Sequence, residues 1–198
     1  MSSEAAEKLT NDPKKPPKDV DSLVRGVSPV LEVPFRDDGA LDPDGFATVV
    51  ERVLDTGVGS VMFAGFASEF HKLDAGERDL LTGLLLERTR DRTDAAAIVS
   101  VPDHATRHAV AQAVSAAERG ADAVNVLPPH FLGPSRDAVF THVRSVLAAV
   151  DPLPVVVQYA PAQTGTALDA ATLHTLAAEH PNLRWVKVES APPGRLIA

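Results

Sequence analysis

Two periodicities alternate along this chain. Short apolar and β-branched runs occupy residues 27–35, 60–65, 95–101, 123–128, 154–159 and 184–189. Their length and their Val, Ile and Leu content predict strands buried on both faces. Between them lie longer Ala- and Leu-rich stretches, over 42–55, 75–90, 105–119, 137–150 and 169–179. These carry apolar residues at helical spacing; in the first, Phe46, Val49, Val50, Val53 and Leu54 share one face. Asp74 and Ser135 stand where helix N-caps belong, and Gly57 and Gly120 where left-handed helix ends belong. The runs start about 30 residues apart, the length of one strand–helix unit. Six such units in succession predict a parallel sheet covered by helices.

The spacing fits both an open doubly wound sheet and a barrel. No Gly-x-Gly-x-x-Gly loop follows any run, which removes the usual sign of a dinucleotide-binding open sheet. The preferred α/β architecture is therefore the (β/α)8 TIM barrel. A complete barrel takes about 250 residues, whereas this chain has 198 and its sixth run ends at Glu189. Two units are expected to be absent, so the chain reads as a fragment, a truncated product, or a subunit that closes its sheet through a partner. An unclosed barrel would otherwise expose strand edges. Residues 1–25 are rich in Lys, Asp, Glu and Pro and poor in large apolar side chains. They are expected to form a disordered polar tail, leaving residues 26–198 as a partial barrel domain.

Composition narrows the function classes. A formal net charge of −8, with 19 scattered Lys and Arg, disfavours nucleic-acid partners and acidic membrane surfaces. The absence of Cys excludes disulfides and thiolate metal sites and fits a reducing compartment. No apolar run approaches the roughly 18 residues of a membrane helix, and the N-terminus lacks the apolar segment of a secretory signal. A cytoplasmic protein with no membrane association is expected.

Barrel active sites form at the C-terminal ends of the strands. The polar residues there are Ser28 and Glu32, then Ser68, Glu69 and His71, then Asp103 and His104. Asn125 and His130, Gln158 and Tyr159, and Lys187 and Glu189 complete the set. Lys187 stands out, because Trp185-Val186-Lys187-Val188 embeds it in an apolar strand. Burial disfavours its charged form, and a neutral amine is what attack on a ketone carbonyl requires. In the competing reading, its stem packs while its ammonium reaches solvent or pairs with Glu189. Tyr159 likewise reads either as a proton-transfer group or as a packing residue at the barrel end. His71, His104 and His130 fall on three loops without ligand spacing, so neither a metal nor a cofactor is implied. Glu69 reads as a loop cap.

Several stretches carry a family resemblance in their order and spacing. They are Val33-Pro34-Phe35 with Gly39-Ala40-Leu41-Asp42, Gly65-Phe66-Ala67-Ser68-Glu69, and Gly120-Ala121-Asp122. Pro128-Pro129-His130-Phe131, the segment from Gln158 to Gly165, and the segment from His180 to Lys187 follow. The chain resembles the dihydrodipicolinate synthase/N-acetylneuraminate lyase superfamily of class I aldolase-type barrels, from about Val27 to Glu189. The resemblance implies a lyase, aldolase or dehydratase acting on a 2-oxo acid or related carbonyl compound. Lys187 would form an imine with the substrate and Tyr159 would shuttle protons. Gly65, Phe66, Ala67, Ser68, Gln158 and Phe131 would line the substrate site. It also implies no cofactor and assembly into homo-oligomers, dimers or tetramers.

The departures from the family pattern are specific. Where the family carries two adjacent hydroxyl residues after its second strand, this chain has Phe66 and Ala67, with Ser68 one position on. His130 and Phe131 stand where many members have a Tyr that reaches a neighbouring subunit. In the family's fifth-strand pattern, aligning on Pro161 and Thr164-Gly165 puts Gln158 at the Tyr position and Gln163 at the Arg position. A shift of one residue restores Tyr159. Successive strand residues face opposite ways, so only one of Gln158 and Tyr159 faces the barrel centre. The lost Arg argues against dihydrodipicolinate synthesis itself. The more apolar lining points to a less acidic or bulkier substrate. The alternative reading is a catalytically impaired relative that binds a metabolite or serves as a structural subunit.

Overall fold

The computed structural model describes residues 18–165 and 168–190. Four of the five major helices begin where a side chain accepts from a free amide group; the helix Thr106–Glu118, which follows Ala105, has no such cap. Asp42 accepts from Gly45 N–H (3.1 Å) ahead of α2 (Pro43–Leu54), with Pro43 supplying the first helical residue. Asp74 and Glu77 form a reciprocal capping box at α3 (Ala75–Thr89). α4 (Thr106–Glu118) ends at Gly120, whose φ is +92°. Ser135 caps α5 (Arg136–Val150), and Asp169 caps α7 (Ala170–Glu179). Two single-turn helices, α1 (Val20–Leu23) and α6 (Pro161–Thr164), complete the set among the described residues.

The strands are β1 (Ser60–Phe63), β2 (Ala96–Val101), β3 (Ala123–Val126), β4 (Val155–Tyr159) and β5 (Leu183–Val188). All four neighbouring pairs are parallel, in the order β1-β2-β3-β4-β5. Sequential parallel strands with helical crossovers form an arc of a (β/α) barrel. Alternation along these strands sorts the core into two parts. Val61, Phe63, Val99, Val101, Val124, Val126, Val155 and Val157 meet Leu81, Leu85, Val143 and Leu147 of the helices. Met62, Ile98, Ala123 and Val156 form a separate cluster on the concave face, closed by Val24, Val30 and Trp185.

The first expected strand, 27–35, is a correction. It is reduced to two isolated bridges, a parallel one between Val30 and Met62 and an antiparallel one between Phe35 and Leu41. Pro29 and Pro34 have no N–H to give a ladder. The Leu31 carbonyl, free to continue the pairing, instead accepts the Ser68 hydroxyl at 2.6 Å.

The folded part also begins earlier than the composition indicates. Residues 1–17 of the expected tail, and 191–198 at the other end, lie outside the described residues. Lys18, however, is buried: its side chain is 2% exposed and its ammonium pairs with Asp122 at 2.9 Å. It also donates to the carbonyls of Thr89 and Ala95, both at 2.9 Å. A charge so placed is tolerated because each proton has an oxygen to meet. These contacts fix α1 against the base of the sheet. Replacing Lys18 by Met removes the counter-charge of the buried Asp122 carboxylate, which keeps the Ala97 N–H. We expect Lys18→Met to cost about 3–5 kcal/mol in urea denaturation, against no measurable change if the segment were a free tail.

Candidate active site

Four polar side chains lie near the C-terminal ends of their strands on the concave face. Ser100, Asn125, Gln158 and Lys187 are each the penultimate residue of their strand. Two residues earlier on the same strands stand Ile98, Ala123, Val156 and Trp185, the apolar layer beneath. Register pairs Ser100 with Asn125, and Gln158 with Lys187.

The layer is connected by hydrogen bonds. Asn125 Nδ2 donates to Ser100 Oγ and to Gln158 Oε1, both at 3.1 Å. Gln158 Nε2 donates to Glu189 Oε1 at 2.7 Å. Lys187 Nζ donates to the same Glu189 oxygen. Asn125 and Gln158 are buried, where polar groups need such partners. Asn125 Oδ1 has none among the described residues. The lysine and glutamate side chains are 27% and 26% exposed, so the polar line runs from the sheet interior to the open rim.

The structure thus brings Lys187 and Gln158 together and separates Tyr159 from them. Tyr159 pairs in register with Val188 and packs against the helix-side core. Its backbone carbonyl accepts from Glu189 N–H at 2.8 Å. Gln158 takes the inward position that the two possible registers left open.

The loop after β1 is built for support. Gly65 lies so close to the Val30 side chain that a Cβ there would approach to 2.8 Å. Ser68 is fully buried; its hydroxyl donates to Leu31 and accepts from Gly65 N–H at 3.2 Å. Its proton is therefore committed to the backbone. Phe66 is half-buried and stacks on Phe70, while Ala67 is exposed. Phe131 is 72% exposed on the loop after β3, beside His104. Glu69 pairs with Lys72 at the surface rather than capping. Ser28 lies at the base of the sheet, bonded to the Ser60 hydroxyl.

Around the rim, the His104 and His130 rings meet edge to face at 4.5 Å. His104 Nδ1 accepts the His130 N–H at 3.3 Å. Burial and the neighbouring His130 hold the His104 pKa down. His142, 1% exposed on α5, is likewise held below its ordinary 6.5, chiefly by burial. Its Nδ1 meets Thr106 Oγ1 at 3.1 Å. A separate cleft of about 290 Å³ lies between α3 and α4 on the helix side, among Ala64, Thr82, Val101 and Ser115. Its cations are occupied: Arg119 by Asp79 at 2.5 Å, Arg78 by the Leu73 carbonyl at 2.7 Å.

Comparison with known proteins follows this geometry. The sequence model of the Dihydrodipicolinate synthetase family matches residues 23–191. The chain belongs to this family. A curated 4-hydroxy-tetrahydrodipicolinate synthase from Stenotrophomonas maltophilia is 34% identical over 173 residues, covering 87% of this chain and 57% of that protein. The chain thus spans little more than half the length of that family member. Among solved structures, a dihydrodipicolinate synthase superposes with a TM-score of 0.80 at 26% identity, covering 87% of this chain and 58% of the other. YagE, a family member from E. coli K12 solved in complex with pyruvate, gives 0.77 at 25% identity, over 88% and 59%. These matches establish the partial TIM-barrel fold. No helix among the described residues is long and apolar enough to cross a membrane.

Ser100 is the member of the polar layer that the sequence reading passed over. Its signal was a lone hydroxyl in an apolar strand, one residue from the end, as Asn125 is in the next strand.

Two outcomes test this site's framework. Ser68→Ala leaves the Leu31 carbonyl and the Gly65 N–H unpaired in a buried place, and should cost about 1–3 kcal/mol in urea denaturation. His142 binds a proton more weakly folded than unfolded. Its stabilising contribution is therefore fully present above about pH 6.5 and lost as pH falls through the depressed value. The urea midpoint should fall between pH 7.5 and 5.5, and fall less in His142→Leu.

Proposed function

We propose that this chain carries the imine-forming half of a family active site, with Lys187 attacking the carbonyl carbon of a 2-oxo acid or related compound. The observation that supports this most is the position of Lys187. It stands on the concave face, at the C-terminal end of β5, at the top of a polar layer and above an apolar one. Barrel chemistry is placed at that end of the strands. The amine adds to the carbonyl, water leaves, and the protonated imine becomes an electron sink beside which a C–C or C–O bond can break or form. A class I lyase, aldolase or dehydratase reaction is the consequence. The pyruvate recorded with YagE is a 2-oxo acid of the proposed kind.

The surroundings argue for a substrate other than that of the synthases. Phe66 and Ala67 stand where the family resemblance places hydroxyls, and the Ser68 hydroxyl is already engaged. A carboxylate here would be met by the backbone N–H groups of Phe66 and Ala67 rather than by side chains, those of Gly65, Ser68 and Glu69 being engaged within the loop. Phe131 adds exposed apolar surface on the same rim. We infer a carbonyl substrate that is bulkier, or less acidic, than pyruvate with aspartate semialdehyde.

A second reading draws on the same engaged hydroxyl and on the inward Gln158: a relative that binds a metabolite without turning it over. Borohydride trapping separates the two. Incubation with pyruvate, 2-oxobutyrate and phenylpyruvate, then borohydride and peptide mass analysis, should give a reduced adduct on Lys187 that Lys187→Ala lacks. Binding of one of these compounds without an adduct would favour the second reading. An equal adduct on Lys187→Ala would sink the first.

A further inference from the structure

The inward face of the site lacks a phenol. Tyr159 is the chain's single tyrosine, and it packs on the helix side. Of the nearby hydroxyls, Ser68 donates to Leu31 and Ser100 Oγ accepts from Asn125, while Ser190 Oγ is buried with no partner among the described residues. Imine formation nonetheless needs a group that takes a proton from the lysine and later delivers one to the leaving oxygen.

We propose that Glu189 is that group, and that Gln158 is the residue that positions it; the proposal rests on the imine reading above. Glu189 follows β5 directly and continues its pairing through the N–H it gives to the Tyr159 carbonyl, so alternation brings its side chain to the concave rim with that of Lys187. The Lys187 ammonium and Gln158 Nε2 both donate to Glu189 Oε1. The other carboxylate oxygen, Oε2, has no partner among the described residues, and the side chain is 26% exposed, so it can reach an incoming ligand. The direction of the network fixes the assignment. Asn125 Nδ2 faces Gln158 Oε1, which turns the Gln158 amide so that its N–H points at Glu189. A chain that begins with a donor in the sheet thus ends on an acceptor beside the amine. A carboxylate oxygen at that end is placed to accept the lysine's proton.

The step balances. A proton passes from the Lys187 ammonium to Glu189, giving a neutral amine and a carboxylic acid. The amine lone pair forms the C–N bond, and the carbonyl π pair moves to oxygen. Glu189 protonates that oxygen and takes back one proton from nitrogen, leaving a neutral carbinolamine. The carboxylic acid then protonates the hydroxyl, the C–O bond breaks, and water departs with its electron pair. The nitrogen lone pair closes the C=N bond. One protonated imine and one water replace one ammonium and one carbonyl, and Glu189 is again a carboxylate.

The test follows the rate of borohydride-trapped adduct on Lys187 as a function of pH, with the full chain and the same three 2-oxo acids. Glu189→Gln should slow adduct formation on the order of 10²- to 10⁴-fold. Formate added to Glu189→Ala should restore part of the rate, which a purely structural carboxylate would not explain. Gln158→Leu should slow the reaction less and displace the midpoint of the pH profile. If Glu189→Gln does not fold, as judged by circular dichroism, Glu189→Asp decides: it keeps the carboxylate and should react at an intermediate rate. Wild-type protein that gives no adduct with any of the three acids sinks the imine reading and this proposal with it. A wild-type adduct that Glu189→Gln matches in rate and pH profile overturns the proposal alone. A slowed variant that formate does not rescue, with an unchanged profile, also overturns it.

Discussion

The constraint on which the structure depends is the two-residue alternation of parallel strands whose faces are both covered. One set of side chains must satisfy the helices and the other the concave interior. Within that interior, an apolar layer of Met62, Ile98, Ala123, Val156 and Trp185 supports a polar layer one step nearer the rim. The polar side chains are affordable there because each reaches its neighbour across the sheet. Strand register thus does for this site what a rigid frame does for an engineered one. It sets the positions of four polar groups without any of them choosing its own.

That frame explains why the rim can differ from its relatives while the fold does not. The 65–69 loop is held by backbone contacts, through Gly65 against Val30 and Ser68 against Leu31. Its outward side chains, Phe66 and Ala67, do not carry these backbone contacts and are free to vary with the substrate. Family membership rests on the frame; the proposed chemistry rests on the few side chains that the frame presents.

Much of the frame was legible in the sequence because it is local. The five major helices and the last five strands fall within a few residues of the periodic runs. Their caps at Asp74, Ser135 and Gly120 are set by residues next to them in the chain. What could not be read depends on distant partners. The run at 27–35 has strand composition, but its prolines and a hydroxyl 37 residues away remove its ladder. Lys18 belongs to a polar segment by composition, and only Asp122 makes it part of the core. Gln158 and Tyr159 could not be told apart because both faces of β4 are apolar, so hydrophobicity does not mark which face is inward. Lys187 was singled out by its apolar neighbours, yet its contact with Glu189 left open whether the pair is structural or reactive.

The Lys18–Asp122 clamp carries a topological consequence. It joins residues separated by 104 positions and reaches a carboxylate at the start of β3. Closing a loop of that length is entropically unfavourable until the intervening strands already hold their ends together. The N-terminal segment is therefore a latch, whose docking is favoured once those strands are in place. It is also the part whose release leaves the sheet's hydrogen-bond ladders intact.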